Sequence, residues 1–158
     1  MKIIFLIAGI SAGLILSRIF FVPFRISDNS MQPNYTINQF VLISKLSASV
    51  KGDAVLIKSP IEPGRVLFKR ILAAEDDTVE IKNKVFYVNG EKYGFSEKRN
   101  IDRRIFPMTF SFRDNMPALK LKRNEFFVTG DNIDSSFDSR EFGVITKNEI
   151  IGKAVYKR

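Results

Sequence analysis

The chain contains no cysteine and no histidine among its 158 residues. Without cysteine there is no disulfide framework, no thiol nucleophile and no thiolate metal site. The compartment stays open, because a cysteine-free chain folds in either redox setting. The missing histidine excludes more: a Ser-His-Asp triad, an imidazole zinc site and a histidine pH switch are all impossible. Any catalysis therefore rests on Ser, Thr, Lys, Asp, Glu, Tyr or Arg.

Positive charge is in excess, 25 Lys and Arg against 17 Asp and Glu, a formal net charge of +8. Such a surplus points to an anionic partner, nucleic acid or an acidic membrane surface. The cations are scattered rather than stacked in one arm, which argues against nucleic acid. The length fits one domain with a core of its own. At the N-terminus, residues 3–16 of "MKIIFLIAGISAGLILSRIFFVPF" carry no charge. That run alone is short for a membrane span, which needs ~20 residues. Extended to Phe24 it is long enough, with Arg18 snorkelling towards the headgroups. A small-residue cleavage site of the A-x-A kind is missing after it, so residues 1–24 are expected to be an uncleaved single-pass transmembrane helix. A long following domain is translocated largely regardless of local charge, which puts the remainder on the outer face.

The rest of the sequence reads as all-β, in small antiparallel sheets. Short runs rich in Val, Ile and Phe recur at 39–44, 53–58, 65–73, 77–81, 84–90, 125–130 and 150–156. Asn89-Gly90 is suited to closing a tight hairpin. Residues 25–158 are expected to form one β-domain, with 91–124 a small loop-rich insertion packed on its edge.

Three stretches carry chemistry. In "DNSMQP" (28–33), Pro33 restricts its predecessor to extended geometry, which suits an exposed turn presenting Ser30. A serine nucleophile here needs a base, and with histidine absent the partner is a lysine whose pKa burial has lowered. In "VLFKRIL" Lys69 is embedded in an apolar strand, with Leu67 and Ile71 on its own face. Arg70 lies in the same strand but cannot deprotonate in a protein. Third, "TGDNIDSSFDSREFG" (129–143) is either a solvated or cation-binding loop, or a polar loop orienting a neighbouring lysine. It lacks EF-hand spacing. On an extended backbone Ser136, Asp138 and Arg140 would share one side, with Asp138 and Arg140 forming a charge-assisted pair.

In this order and behind an apolar N-terminus, the stretches resemble type I signal peptidase, the membrane-bound serine protease family of the Ser-Lys class. "SMQP" resembles its nucleophile box, "GDAVLIK" its Gly-Asp strand box and "FKRILAAEDDTVEI" its lysine box. "GDNIDSSFDSREFGVI" resembles its Gly-Asp-Asn…Ser-x-Asp-Ser-Arg box, and "IIGKA" its closing strand. The resemblance implies that Ser30 is the nucleophile, Lys69 the general base, and Ser136 the hydroxyl that orients the lysine. It implies that Asp138 and Arg140 support the site, and that Phe24, Ile26, Met31, Leu67 and Phe68 line the substrate pockets. No metal or organic cofactor is implied. The partners implied are the signal peptides of secreted preproteins and the phospholipid membrane, with the catalytic domain on the outer face of the bacterial cytoplasmic membrane.

Two departures matter. Asp28 stands where the family often has serine or glycine, and a carboxylate near a developing oxyanion repels it. Asp28 is expected to point away, leaving the Ser30 amide as main oxyanion donor and Asn29 or Ser27 as a second. The Gly-Pro-Gly-Asp turn usual after the lysine box is "AAEDD" here, and alanines do not take positive φ cheaply, so that turn needs another shape. Two further readings stay open: a specialised conjugation-type peptidase, and a membrane-tethered β-domain without activity.

Overall fold

The computed structural model describes residues 19–94 and 102–158. Two antiparallel sheets make up most of it. The larger has seven strands in the order β1-β2-β11-β3-β4-β9-β10, and the smaller has four in the order β7-β6-β5-β8. Their ranges are β1 Phe21–Arg25, β2 Phe40–Ser44, β3 Ala54–Lys58, β4 Val66–Ala73, β5 Thr78–Lys82, β6 Val85–Val88, β7 Glu91–Lys92, β8 Met116–Lys120, β9 Glu125–Thr129, β10 Ile145–Thr146 and β11 Ile150–Lys157. The all-β expectation holds for the described residues. Each run of Val, Ile and Phe singled out in the sequence overlaps one of these strands.

The N-terminal segment departs from expectation. Phe21–Phe24, assigned above to the end of a transmembrane helix, belongs instead to β1, laddered against β2 from Phe21↔Ser44 to Arg25↔Phe40. β1 is an edge strand, so Pro23 needs no amide partner on its outer side. Among the described residues no helix is long and apolar enough to cross a membrane. Residues 1–18, which carry the rest of that expectation, lie outside the described residues. The 91–124 stretch is also more than loop. It supplies β7 and β8, and β8 pairs with β5 to form one edge of the smaller sheet, again with a proline, Pro117, in an edge strand.

Three apolar clusters hold the sheets. Val41, Ile43, Ala54, Leu56 and Phe68 pack with Ile26 and Met31. Val55, Ile57, Leu67, Ile71, Val128 and Ile145 form a second cluster. Strand alternation thus sends Phe68 into one cluster and Leu67 with Ile71 into the other. A break in the β4–β9 register between Ile71 and Ala73 then turns Leu72 and Ala73 into a third cluster. There they meet Val79, Ile81, Phe86 and Phe127, joining the two sheets.

Turn chemistry follows the residues. Asn89 and Gly90 both take positive φ, 56° and 80°, and close the β6–β7 hairpin as their sequence suggested. In "AAEDD" the left-handed position falls on Asp76, φ 67°, not on an alanine. Asp77 closes that turn by donating its amide to the Ala74 carbonyl and accepting the Ala74 amide on its carboxylate. Asp and Asn tolerate this region because their side chains hydrogen-bond locally.

Candidate active site

β4 carries Lys69 between β3 and the end of β9, opposite Val55. Its side chain is 1% exposed, among the largest fully buried in the protein. The loop after β1 carries Ser30, also buried, to the same point. Lys69 Nζ lies 2.6 Å from Ser30 Oγ. The surrounding turn forms as expected, with Gln32 N donating to Asn29 O and Tyr35 N to Met31 O. It does not expose the hydroxyl, since Ser30 and Met31 are both buried.

This loop is held in place by the segment after β9. Asn132 N donates to Ser30 O at 2.8 Å, Ser135 Oγ to Asn29 Oδ1 at 3.1 Å, and Asn34 Nδ2 to Asp131 Oδ2 at 2.7 Å. Gly130 explains how closely the two segments meet. A Cβ at this position would collide with the Ser30 carbonyl oxygen and with the Ser136 side chain. Only glycine permits that approach.

Burial pushes the Lys69 amine below the ordinary lysine range, since removing water disfavours the ammonium. Asp28 and Asp138 oppose the shift and Arg65 and Arg140 reinforce it, with the net direction downward. An amine shifted this way gives up its proton more readily than a solvated lysine and is better suited to accept one from a neighbouring hydroxyl.

Asp138 and Arg140 make the expected pair, with Nε to Oδ1 at 2.8 Å and Nη2 to Oδ2 at 2.9 Å. The side chains are buried at both ends. The geometry is not an extended run, however. Asp138 is the N-cap of a single helical turn, Ser139–Phe142, that contains Arg140. Its carboxylate also accepts the Gly130 amide at 3.0 Å. Burial pushes the Asp138 carboxyl up, but Arg140 and the amide outweigh it and hold it below the usual carboxylate range. Ser136 lies beside Gly130 with its Oγ buried. That hydroxyl makes no hydrogen bond of good geometry among the described residues, to Lys69 or to any other group.

Asp28 corrects a second expectation. Its carboxylate does not point away. Oδ1 accepts the Ser30 amide at 2.9 Å and the Ser30 hydroxyl at 2.6 Å. The cause is local, since an aspartate readily closes a turn on the residue two positions ahead. Burial pushes its pKa up, and the two Ser30 hydrogen bonds together with Lys69 and Arg65 carry it below the ordinary value. Asn29, proposed as a second oxyanion donor, has its side-chain oxygen occupied by Ser135.

The apolar residues expected to line substrate pockets divide between clusters. Ile26, Met31 and Phe68 pack together, with Phe24 partly buried against them. The Phe24 and Phe68 rings lie 6.0 Å apart. Leu67 belongs to the other cluster.

The family model for signal peptidase, peptidase S26, matches residues 1–157. The chain belongs to this family. Signal peptidase I V of Bacillus subtilis strain 168 is 30% identical over 140 residues, covering 84% of this chain and 82% of that protein. Signal peptidase IB of Staphylococcus aureus strain Mu50 is 28% identical over 158 residues, covering 90% of this chain and 80% of that one. Among solved structures, a signal peptidase I from Enterococcus faecalis V583 aligns with a TM-score of 0.53 at 25% identity, over 68% of this chain and 97% of that chain. Membership of the S26 family makes the chain a serine endopeptidase of the signal peptidase I type.

Within this peptidase, some site-building residues escaped the sequence reading. Arg70, set aside as a base, forks onto the buried Asp131 through Nε–Oδ1 and Nη2–Oδ2 bonds of 2.7 Å each. Its Nη1 also donates to the Gly52 carbonyl. This second bidentate pair ties β4 to the loop that holds Ser30. Asp131 could have been suspected from "GDN" as a partner for a strand arginine. Ser139, whose Oγ accepts the Val128 amide at 2.9 Å, left no such trace.

Proposed function

We propose that this protein removes N-terminal signal peptides from translocated preproteins at the outer face of a bacterial cytoplasmic membrane, with Ser30 as nucleophile and Lys69 as general base. The observation that carries this reading is the 2.6 Å contact between a buried lysine amine and a buried serine hydroxyl in a chain that lacks histidine.

Neutral Lys69 accepts the Ser30 proton as Oγ attacks the scissile carbonyl, and the ammonium then protonates the leaving amine. Water, deprotonated by the same lysine, releases the acyl group. The Ser30 amide, which at rest donates to Asp28, serves the developing oxyanion once freed, and one such donor contributes on the order of 3 kcal/mol. Asp138 with Arg140, and Ser136 beside Gly130, support the lysine's surroundings. No step calls on a metal or an organic cofactor.

The substrate adds as an extended strand. β9 pairs with β4 only from Arg70 onward, so among the described residues no strand pairs with Val66–Phe68 on the side away from β3. Side chains of an extended peptide at one and three positions before the cut face the same way. Meeting a wall already filled by Ile26, Met31, Phe24 and Phe68, they must be small. The apolar N-terminal segment ahead of β1 anchors the enzyme in the bilayer that holds its substrate, which raises their effective concentration.

The test is turnover of a preprotein with an A-x-A site. Wild type cleaves it, Ser30→Ala does not, and cleavage by a purified Lys69→Met protein would remove lysine from the mechanism. Labelling of Ser30 by an acylating inhibitor separates this reading from an inactive β-domain.

A further inference from the structure

Asp28 lies two residues before Ser30 and meets both of its working groups. One carboxylate oxygen accepts the amide at 2.9 Å and the hydroxyl at 2.6 Å. Lys69 Nζ reaches the same hydroxyl oxygen at 2.6 Å. A serine hydroxyl has a single proton. While that proton is given to Asp28, Lys69 stands as a donor to Oγ, not as an acceptor from it. The amide bond to Asp28 meanwhile occupies the donor that an oxyanion requires. Both halves of the Ser30 machinery are therefore held by one oxygen atom in an arrangement that cannot react.

We propose that Asp28 is a further residue of the reaction: a resting clamp that must hand the Ser30 hydroxyl to Lys69 and the Ser30 amide to the scissile carbonyl before acylation. This rests on the Ser30–Lys69 reading above. The exchange balances. The hydroxyl proton turns from Asp28 to Lys69 Nζ and is transferred there as the Oγ–C bond forms. The carbonyl π pair becomes the oxyanion at the Ser30 amide, and Asp28 stays an ionised carboxylate throughout.

The clamp also makes the lysine harder to deprotonate. The charged groups facing Lys69 are Asp28 from the loop after β1, Asp138 and Arg140 from the helical turn and its cap, and Arg65 just before β4. Those facing Asp28 are Lys69 and Arg65. Of the two carboxylates, Asp138 is fully engaged by Arg140 and Gly130. Asp28 is in an exposed turn and touches Ser30 itself. It can swing away without repacking the core, so its removal should alter Lys69 without unfolding the domain.

The experiment is kcat/KM for an A-x-A preprotein from pH 6 to 10 with the full-length protein, comparing wild type, Asp28→Ala, Asp28→Asn and Ser30→Ala. In both Asp28 variants the rising limb moves to lower pH by about one unit, as loss of a neighbouring opposite charge requires. Cleavage at pH 7 by Asp28→Ala rises about tenfold with it. The asparagine oxygen still covers the Ser30 amide, so Asp28→Asn reaches a lower plateau than Asp28→Ala. Limbs that coincide with wild type in both variants overturn the proposal. So does loss of cleavage in Asp28→Asn at an unchanged Tm, which would make the carboxylate a required base. If wild type fails to cut, or Ser30→Ala cuts, the proteolytic reading itself fails, a result visible before any Asp28 variant is made.

Discussion

Lys69 is a basic side chain buried in the sheet, and two consequences follow. Lys69→Met keeps the stem's volume and apolar contacts while deleting the base, so cleavage falls to the Ser30→Ala background with the fold intact. Lys69→Arg also abolishes cleavage, since a guanidinium does not deprotonate. The stability effect has a definite sign. The folded-state pKa is depressed, so between it and the ordinary lysine value the unfolded chain binds more protons. Stability therefore rises as pH increases through the folded pKa. Thermal melts of Lys69→Met should show a higher Tm than wild type at pH 6, with the gap closing towards pH 10. Asp138 is the opposite case. Removing it strands the buried Arg140, and Asp138→Ala should lose about 3–5 kcal/mol in urea unfolding.

How much of the site could be read in advance follows from what each residue depends on. Lys69 stood out as the lysine of an apolar strand, where burial specifies the pKa direction, whereas Ser30 was named through the resemblance of "SMQP" to the family's nucleophile box. Asp138 and Arg140 were legible as a pair but not in their geometry, since the helical turn that joins them spans only four residues. Asp28 was misread because the rotamer of an aspartate in a turn is set by the amide and hydroxyl two residues ahead of it, which no pattern of apolar residues reports. Arg70 was judged only for what it cannot do as a base, and its pairing with Asp131 bridges 61 positions of sequence.

At the scale of elements, the tightest constraint is the crossing of the Ser30 loop over the end of β9. Gly130→Ala inserts a methyl against the Ser30 carbonyl and Ser136. Overpacking of this kind costs about 1–3 kcal/mol. A shift of the hydroxyl by ~1 Å lowers turnover ~100-fold. Chemical denaturation and kcat measured on the same sample check both. By contrast, Gly90→Ala strains the β6–β7 turn at φ 80° with open space around it. It should cost about 1–2 kcal/mol without a matching loss of rate. The strands missed in the sequence are edge elements or very short ones. β1 was absorbed into an apolar run, β8 carries a proline and mostly exposed residues, and β7 and β10 have two residues each. Interior strands announce themselves through burial on both faces, whereas edges do not.

For the molecule as a whole, β1 links the region before it to the catalytic sheet. A protein beginning at Ile19 retains every β1–β2 pair and should melt as wild type does. One beginning at Ser27 loses that edge and exposes the Val41 and Phe68 cluster, and should melt well below it. The variant beginning at Ile19 also tests anchoring. Its cleavage of a soluble peptide should match wild type, while cleavage of a preprotein in vesicles falls by ~100-fold or more. Equal activity in vesicles would dissociate the first 18 residues from substrate capture.

Everything in the proposed chemistry depends on the protonation of one amine. The most direct measurement is the pH titration of the Lys69 side chain by NMR in protein labelled at lysine, assigned by the loss of its signal in Lys69→Met. The account predicts that this resonance titrates at lower pH than the other lysines, and that its midpoint coincides with that of the cleavage rate. A Lys69 that titrates together with the surface lysines, in a protein that still cleaves at pH 7, would contradict it.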